Sequence, residues 1–333
     1  MFFRREHPER GADSRFITGQ GEASYRALGA EELQRRAKQA RELMSPCYLC
    51  GRRCGVSRLG PAGGEGEGKG EENAEATGIC KTGRSAVVSS YGPHFGEEPP
   101  ITGFQGSGTI FFSNCNLRCI FCQNYRIAHQ GEGAEMGAAG LAALMLSLQE
   151  RGCHNINLVS PTHVVPQIIA ALAIAREKGL NLPLVYNTGG YDLPETIELL
   201  AGIVDIYMPD MKFGSSRAAE ICAQAPDYPE VNFRVVKEMH RQVGDLVTDE
   251  RGVAVRGLLV RHLVLPEGLA GTARVMKFIA EQISKDTYVN IMDQYYPCHE
   301  AVDHPVLGRR IRGQEYRRAL EIARSFGLTR LGR

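Results

Sequence analysis

The sequence lacks an excess of either charge. Its 39 Lys and Arg stand against 38 Asp and Glu, leaving a formal +1 over 333 residues. A chain so close to neutral carries no electrostatic footprint for nucleic acid or an anionic membrane, so neither partner is expected. The opening residues, Met1-Phe2-Phe3-Arg4-Arg5-Glu6-His7-Pro8, have none of the apolar stretch of an export signal. One uncharged run, Cys153 to Ala175, is long enough to raise the question of a membrane span. Pro161, Pro166, two Asn and two His interrupt it, which rejects a spanning helix. No repeat at a fixed period is visible. These absences predict a cytoplasmic setting, where thiols stay reduced. Ten cysteines in such a chain then point to metal or cluster ligation rather than disulfides.

What is present divides the chain in two. Residues 1–83 read as an N-terminal extension and residues 84–333 as the main domain. Residues 1–29 are polar and Gly-rich, a loose arm by composition, and residues 30–44 use strong helix formers. A cysteine-rich segment, 47–80, contains a Gly/Glu-rich stretch from Gly60 to Gly78 that reads as a flexible insertion. Farther on, short apolar segments recur at Thr109–Ser113, Asn155–Ser160, Leu182–Asn187, Val204–Met208, Leu258–Leu265 and Tyr288–Asp293, each followed by helical spacing. Strands alternating with helices predict an α/β fold of parallel, right-handed βαβ units. Six units are too few for a closed eight-fold barrel, leaving a partial (β/α)6 barrel or a doubly wound sheet. In either, chemistry gathers in the loops at the C-terminal strand ends.

The first such loop holds Cys115-Asn116-Leu117-Arg118-Cys119-Ile120-Phe121-Cys122, a C-x3-C-x2-C spacing. Cubane clusters are held by cysteine thiolates, normally four. Three leave one iron open, as an open position marks a catalytic zinc. A zinc knuckle completed by His129, or three incidental core thiols, are the alternatives.

This motif after the first strand of six βα units resembles the radical S-adenosylmethionine (SAM) superfamily. The phrases Gly106-Ser107-Gly108-Thr109-Ile110-Phe111-Phe112, Phe121-Cys122-Gln123-Asn124-Tyr125, Asn187-Thr188-Gly189-Gly190-Tyr191 and Asp205-Ile206-Tyr207-Met208-Pro209-Asp210-Met211-Lys212 are similar to uncharacterised proteins related to the pyruvate formate-lyase activating enzyme. The resemblance implies a [4Fe–4S] cluster on Cys115, Cys119 and Cys122 with SAM bound at its open iron. It implies an oxidoreductase that cleaves SAM reductively to a 5′-deoxyadenosyl radical and abstracts hydrogen from a substrate. That substrate would be a glycyl-radical enzyme, or else another protein, a peptide or a small molecule. A flavodoxin or ferredoxin would supply the electron.

The likeness also carries over a SAM site. Ser160 and Thr162 occupy the place of a Gly-Gly-Glu segment that holds the SAM amino group in many members; here no Glu is present, and hydroxyls and carbonyls would accept instead. Thr162 reads equally as a helix N-cap. Asn187 and Thr188 would reach the ribose or carboxylate. Asp210 and Lys212 resemble an Asp-x-Lys segment, though such a pair is often a surface ion pair. Arg261 resembles the strand-five arginine, and alternation puts it and His262 on opposite faces. Asp293, Gln294 and Tyr295 are candidates for the substrate cavity. Cys153 and Cys222 read as buried thiols, and so does Cys298 beside His299, with a catalytic thiol near the radical site as the alternative. His94, Glu97 and Glu98 resemble a family segment without an assigned role.

Cys47, Cys50, Cys54 and Cys80 form a second group. Four thiolates satisfy a structural zinc site or a complete [4Fe–4S] cluster, and the intervening insertion adds little closure cost. Four unligated thiols are the plain alternative. Two other function classes stay open: a non-catalytic electron-transfer protein and a zinc-stabilised binding module.

Overall fold

A computed structural model describes residues 22–60 and 77–332. Its strands are β1 (Ala86–His94), β2 (Ser107–Phe112), β3 (Ala134–Met136), β4 (Ile156–Val159), β5 (Leu184–Thr188), β6 (Ile206–Pro209), β7 (Val247–Thr248), β8 (Ala254–Leu263), β9 (Tyr288–Met292) and β10 (Leu331–Gly332). The helices are α1 (Ala30–Glu42), α2 (Pro99–Thr102), α3 (Tyr125–Ala128), α4 (Ala138–Glu150), α5 (Val165–Glu177), α6 (Pro194–Glu198), α7 (Ser216–Ala223), α8 (Tyr228–Val243), α9 (Thr272–Phe278) and α10 (Gly313–Ser325). The expected strands correspond to β2, β4, β5, β6, β8 and β9. These pair parallel in that order, which is the partial (β/α)6 arrangement. The sheet does not close. It runs β10-β9-β8-β6-β5-β4-β2-β1-β3, so β3 and β10 are its edges. The antiparallel β1 and β3 were not foreseen.

Strand alternation sorts the residues into two cores. The outward residues, among them Leu158, Tyr186, Tyr207 and Val260, pack under the helices in one large cluster. The inward residues Val185, Ile206, Met208 and Leu259 form a separate small core with Ile101 from α2. The segment Glu97–Thr102 therefore plugs the lower mouth of the half-barrel. Two residues along each strand, the inward positions turn polar: Asn187 follows Val185, Asp210 follows Met208 and Arg261 follows Leu259. The interior is layered, apolar below and polar above.

The extension is less separate than its composition suggests. Residues 22–29 are no loose arm. Ser24–Ala27 form a 3-10 turn, Tyr25 is fully buried with its hydroxyl donating to the Leu182 carbonyl at 2.9 Å, and the Ser24 amide donates to Asp205 at 2.7 Å. Leu33 and Ala40 of α1 join the main core. The rest of the predicted arm, residues 1–21, and most of the Gly/Glu insertion, 61–76, lie outside the described residues. No helix among the described residues is long and apolar enough to cross a membrane.

Ile101→Ala should leave a cavity between strands that cannot close around it. The expected loss is about 2–5 kcal/mol, read as a lower urea midpoint with an unchanged slope.

Candidate functional site

The loop after β2 carries Cys115, Cys119 and Cys122 to the upper mouth of the half-barrel. Cys119 is buried and the other two are partly covered. Burial pushes all three thiols up, Cys122 to about 11, and each of Cys119 and Cys122 also feels a neighbouring thiol of the set. Lys212 lowers all three, so a cation sits within reach of the whole group.

Lys212 also belongs to the ion network at the strand tops. Its Nζ donates to Asp210 Oδ2 at 2.5 Å. Arg261 Nε donates to Asp210 Oδ1 at 2.9 Å, and its Nη2 to Asn187 Oδ1 at 2.6 Å. Arg261 Nη1 lies 3.5 Å from Glu97 Oε2. The backbone sets this up: Met211 N–H donates to the Arg261 carbonyl at 2.8 Å, extending the β6–β8 ladder past its last regular pair. Burial works to raise the Asp210 carboxyl, but Arg261 and Lys212 together hold it below the ordinary aspartate value. Glu97 goes the other way, raised by burial against the pull of Arg261. Arg261, Asp210 and Lys212 keep 17%, 13% and 20% of their side-chain surface exposed, so the network opens to a ligand rather than being sealed.

Gly190 lets this region close up. Its φ of +74° suits glycine, and a Cβ there would stand 2.2 Å from Asn232 Nδ2 and 2.3 Å from the Asp210 carbonyl.

Of the residues expected at the SAM site, Asn187, Asp210, Lys212 and Arg261 come together. Thr162 and Thr188 do not join them. Thr188 points outward, and the two hydroxyls meet at 2.9 Å in a buried net with Asp192 and Tyr186. Nor does Thr162 cap the helix that follows: no side-chain cap is made there. Ser160 stands at the β4 end with φ +58°, a left-handed conformation uncommon outside glycine. His262 faces away from Arg261, bonded to the Met211 carbonyl and Thr272. Tyr295 is core, its hydroxyl donating to the Leu307 carbonyl, whereas Asp293 and Gln294 are exposed. His129 has a partner other than the thiols, its Nδ1 lying 3.2 Å from His299 Nε2.

Sequence reasoning left two members without a role. Glu97 accepts from Asn157 and Asn187, and Glu98, 6% exposed, accepts from Asn290 at 2.9 Å. Two adjacent carboxylates ahead of Pro99-Pro100 were the available signal. Cys298 is not core either. Its Sγ lies 3.2 Å from the Phe121 carbonyl, within the cysteine loop, and Cys122 feels it.

Residues 109–251 match the sequence profile of the radical SAM superfamily. The match spans the cysteine loop and the strand ends that carry Asn187, Asp210 and Lys212. An uncharacterised protein of Methanocaldococcus jannaschii is 28% identical over 299 residues, covering 87% of this chain and 77% of that protein. A radical SAM domain uses a [4Fe–4S] cluster and SAM, and the residues present fit both. Three neighbouring thiols with a cation beside them suit an anionic thiolate cluster. In a cubane each cysteine takes its own iron, so its sulfurs need not converge on one point. Among the described residues no three Cys, His, Asp or Glu groups gather as they would on a single ion. Beside the thiols, the part-exposed ion network and the unpartnered, buried Asn157 Oδ1 give a polar ligand donors and acceptors.

Arg261→Met should cost about 3–5 kcal/mol, because it removes the cation paired with Glu97 and leaves Asp210 to Lys212 alone. The variant's Glu97 and Asp210 would both bind protons more tightly in the folded state. Stability held by a raised carboxyl is present at low pH and lost as pH rises through its folded pKa. The deficit should therefore widen above the ordinary glutamate range, as measured by denaturant titrations across pH.

Proposed function

We propose that this protein abstracts a hydrogen atom from a protein or peptide substrate, in the manner of the activating enzymes that install a glycyl radical on a partner. What supports SAM cleavage is the shared position of Lys212, which feels the thiol loop on one side and bonds Asp210 on the other; the protein or peptide substrate rests on the likeness of Asp210-Met211-Lys212 to the activating enzymes. Bound cluster and SAM supply one-electron cleavage of the sulfonium to a 5′-deoxyadenosyl radical, the chemistry the cofactors bring.

The chain's own residues bind and orient. Cys115, Cys119 and Cys122 supply three thiolates. Asp210, held ionised by its two cations, accepts hydrogen bonds from sugar hydroxyls, and the Arg261 fork offers donors suited to a carboxylate. Asn187, held between Arg261 and Glu97, keeps the guanidinium aimed at the same space. Ser160 offers a hydroxyl and carbonyl from the β4 end for an ammonium group. Thr162 and Thr188 act one step back, holding the β4 and β5 ends together through Asp192. The reading brings with it a cytoplasmic location and an electron donor of the flavodoxin or ferredoxin class.

The test is anaerobic reconstitution with iron and sulfide, followed by dithionite and SAM, with 5′-deoxyadenosine as the product measured. Wild type is expected to form it, and Cys115→Ala, Cys119→Ala and Cys122→Ala to fall to background. A reconstituted wild-type cluster with no product, candidate substrates present, would overturn the reading in favour of simple electron transfer.

A further inference from the structure

The cysteine-rich extension lies outside the matched domain and has no part in the reading above. Cys47, Cys50, Cys54 and Cys80 nevertheless line one pocket, together with Arg58, Asn116 and His163. Two of those neighbours lack the partners their burial requires. Arg58 is 0% exposed, and among the described residues its guanidinium meets the Gly83 carbonyl and, at 3.9 Å, the Cys47 sulfur, but no carboxylate. A buried cation without a counter-charge is costly. His163 is 2% exposed, with Nε2 2.9 Å from the Ser113 carbonyl. A carbonyl only accepts, so Nε2 carries the proton and Nδ1 is left a bare acceptor. That Nδ1 is buried and has no partner. Thiolate ligands meet the first need, since their sulfurs are negative toward Arg58.

The pocket is built against the radical SAM loop. Asn116 Oδ1 lies 3.8 Å from Cys115 Sγ, and the same residue lines the pocket with Cys50. Asn116 Nδ2 donates to the Tyr191 carbonyl at 2.8 Å, which fixes it between the two groups. Cys80 is close enough to Cys115 to act on it electrostatically. One residue thus stands between the two cysteine sets. Redox-inert zinc gains nothing from that proximity, whereas an electron carrier does.

We propose that Cys47, Cys50, Cys54 and Cys80 hold a second, fully ligated [4Fe–4S] cluster that serves as the entry port for the electron used at Cys115, Cys119 and Cys122. The port role rests on the radical SAM reading; the cluster itself does not. One electron arrives from a low-potential donor of the flavodoxin or ferredoxin class, reduces the port, and leaves it oxidised again on passing inward. No bond forms and no proton moves.

The test is iron and sulfide analysis of the reconstituted full-length chain, with electron paramagnetic resonance of the dithionite-reduced form. Wild type should hold about eight iron ions, and the triple variant Cys115→Ala/Cys119→Ala/Cys122→Ala about four, with a reducible signal of its own. Reduced wild type should show spin coupling between the two clusters, lost in Cys50→Ala/Cys80→Ala. Because the triple variant cannot cleave SAM in any case, its iron count separates failure of this proposal from failure of the preceding one. A zinc ion in place of iron, or a triple variant without metal, overturns the second cluster. Two uncoupled signals overturn the port. Should the variants fail to fold, a wild-type content near four iron ions decides against it alone.

Discussion

A guanidinium inside a half-barrel must be satisfied, and the upper interior is organised around that demand. Arg261 spends its fork on three neighbours: Asp210 from the β6 end, Asn187 from β5 and Glu97 from the plug below. Each is drawn from a different element, so one side chain fixes the mutual placement of two neighbouring strand ends and the segment that seals the barrel. A planar, always-charged fork can do this; a lysine in its place would satisfy fewer partners at once. The apolar layer beneath, with Ile101 at its centre, is what makes the arrangement strong. It keeps water from below, so the charges interact in a medium of low polarity and face outward only at the top.

The architecture was legible because strand and helix periodicities differ, and six apolar segments separated by helical spacing leave few topologies. Alternation then resolved Arg261 from His262 correctly. The same rule, applied to Asn187 and Thr188, would have sent Thr188 outward to Asp192, where it lies; family likeness grouped the two and hid the difference. Glu97 and Glu98 were opaque for another reason. Their role depends on a tertiary fact, that β1 returns antiparallel to β2 and delivers the following turn beneath the strands, and no local pattern announces that. Tyr25 and Cys298 fall in the same class. A polar, Gly-rich stretch concealed one fully buried tyrosine, and the approach of Cys298 to Phe121 spans 177 residues.

The extension and the cysteine loop explain one another mechanically. A loop with three thiols is a poor ligand set unless it is held, because ordering it has an entropic cost on metal binding. Here the extension grips it from both sides. Arg52 donates to the Asn116 carbonyl at 2.7 Å and to the Ala223 carbonyl at 2.9 Å, Arg118 reaches back to the Ile79 carbonyl, and Lys81 donates to the His129 carbonyl at 3.3 Å. The Cys50 backbone bridges Asp192, the residue that ties Thr162 and Thr188 together. The burial that results pushes the thiols up, which opposes thiolate formation in the empty site. Metal binding must then displace protons, and Lys212 and Arg118 beside the loop offset that cost by favouring the charged form. Thiols so arranged favour their protonated form without metal and become anionic as the site fills. The cations around it are placed for the filled state.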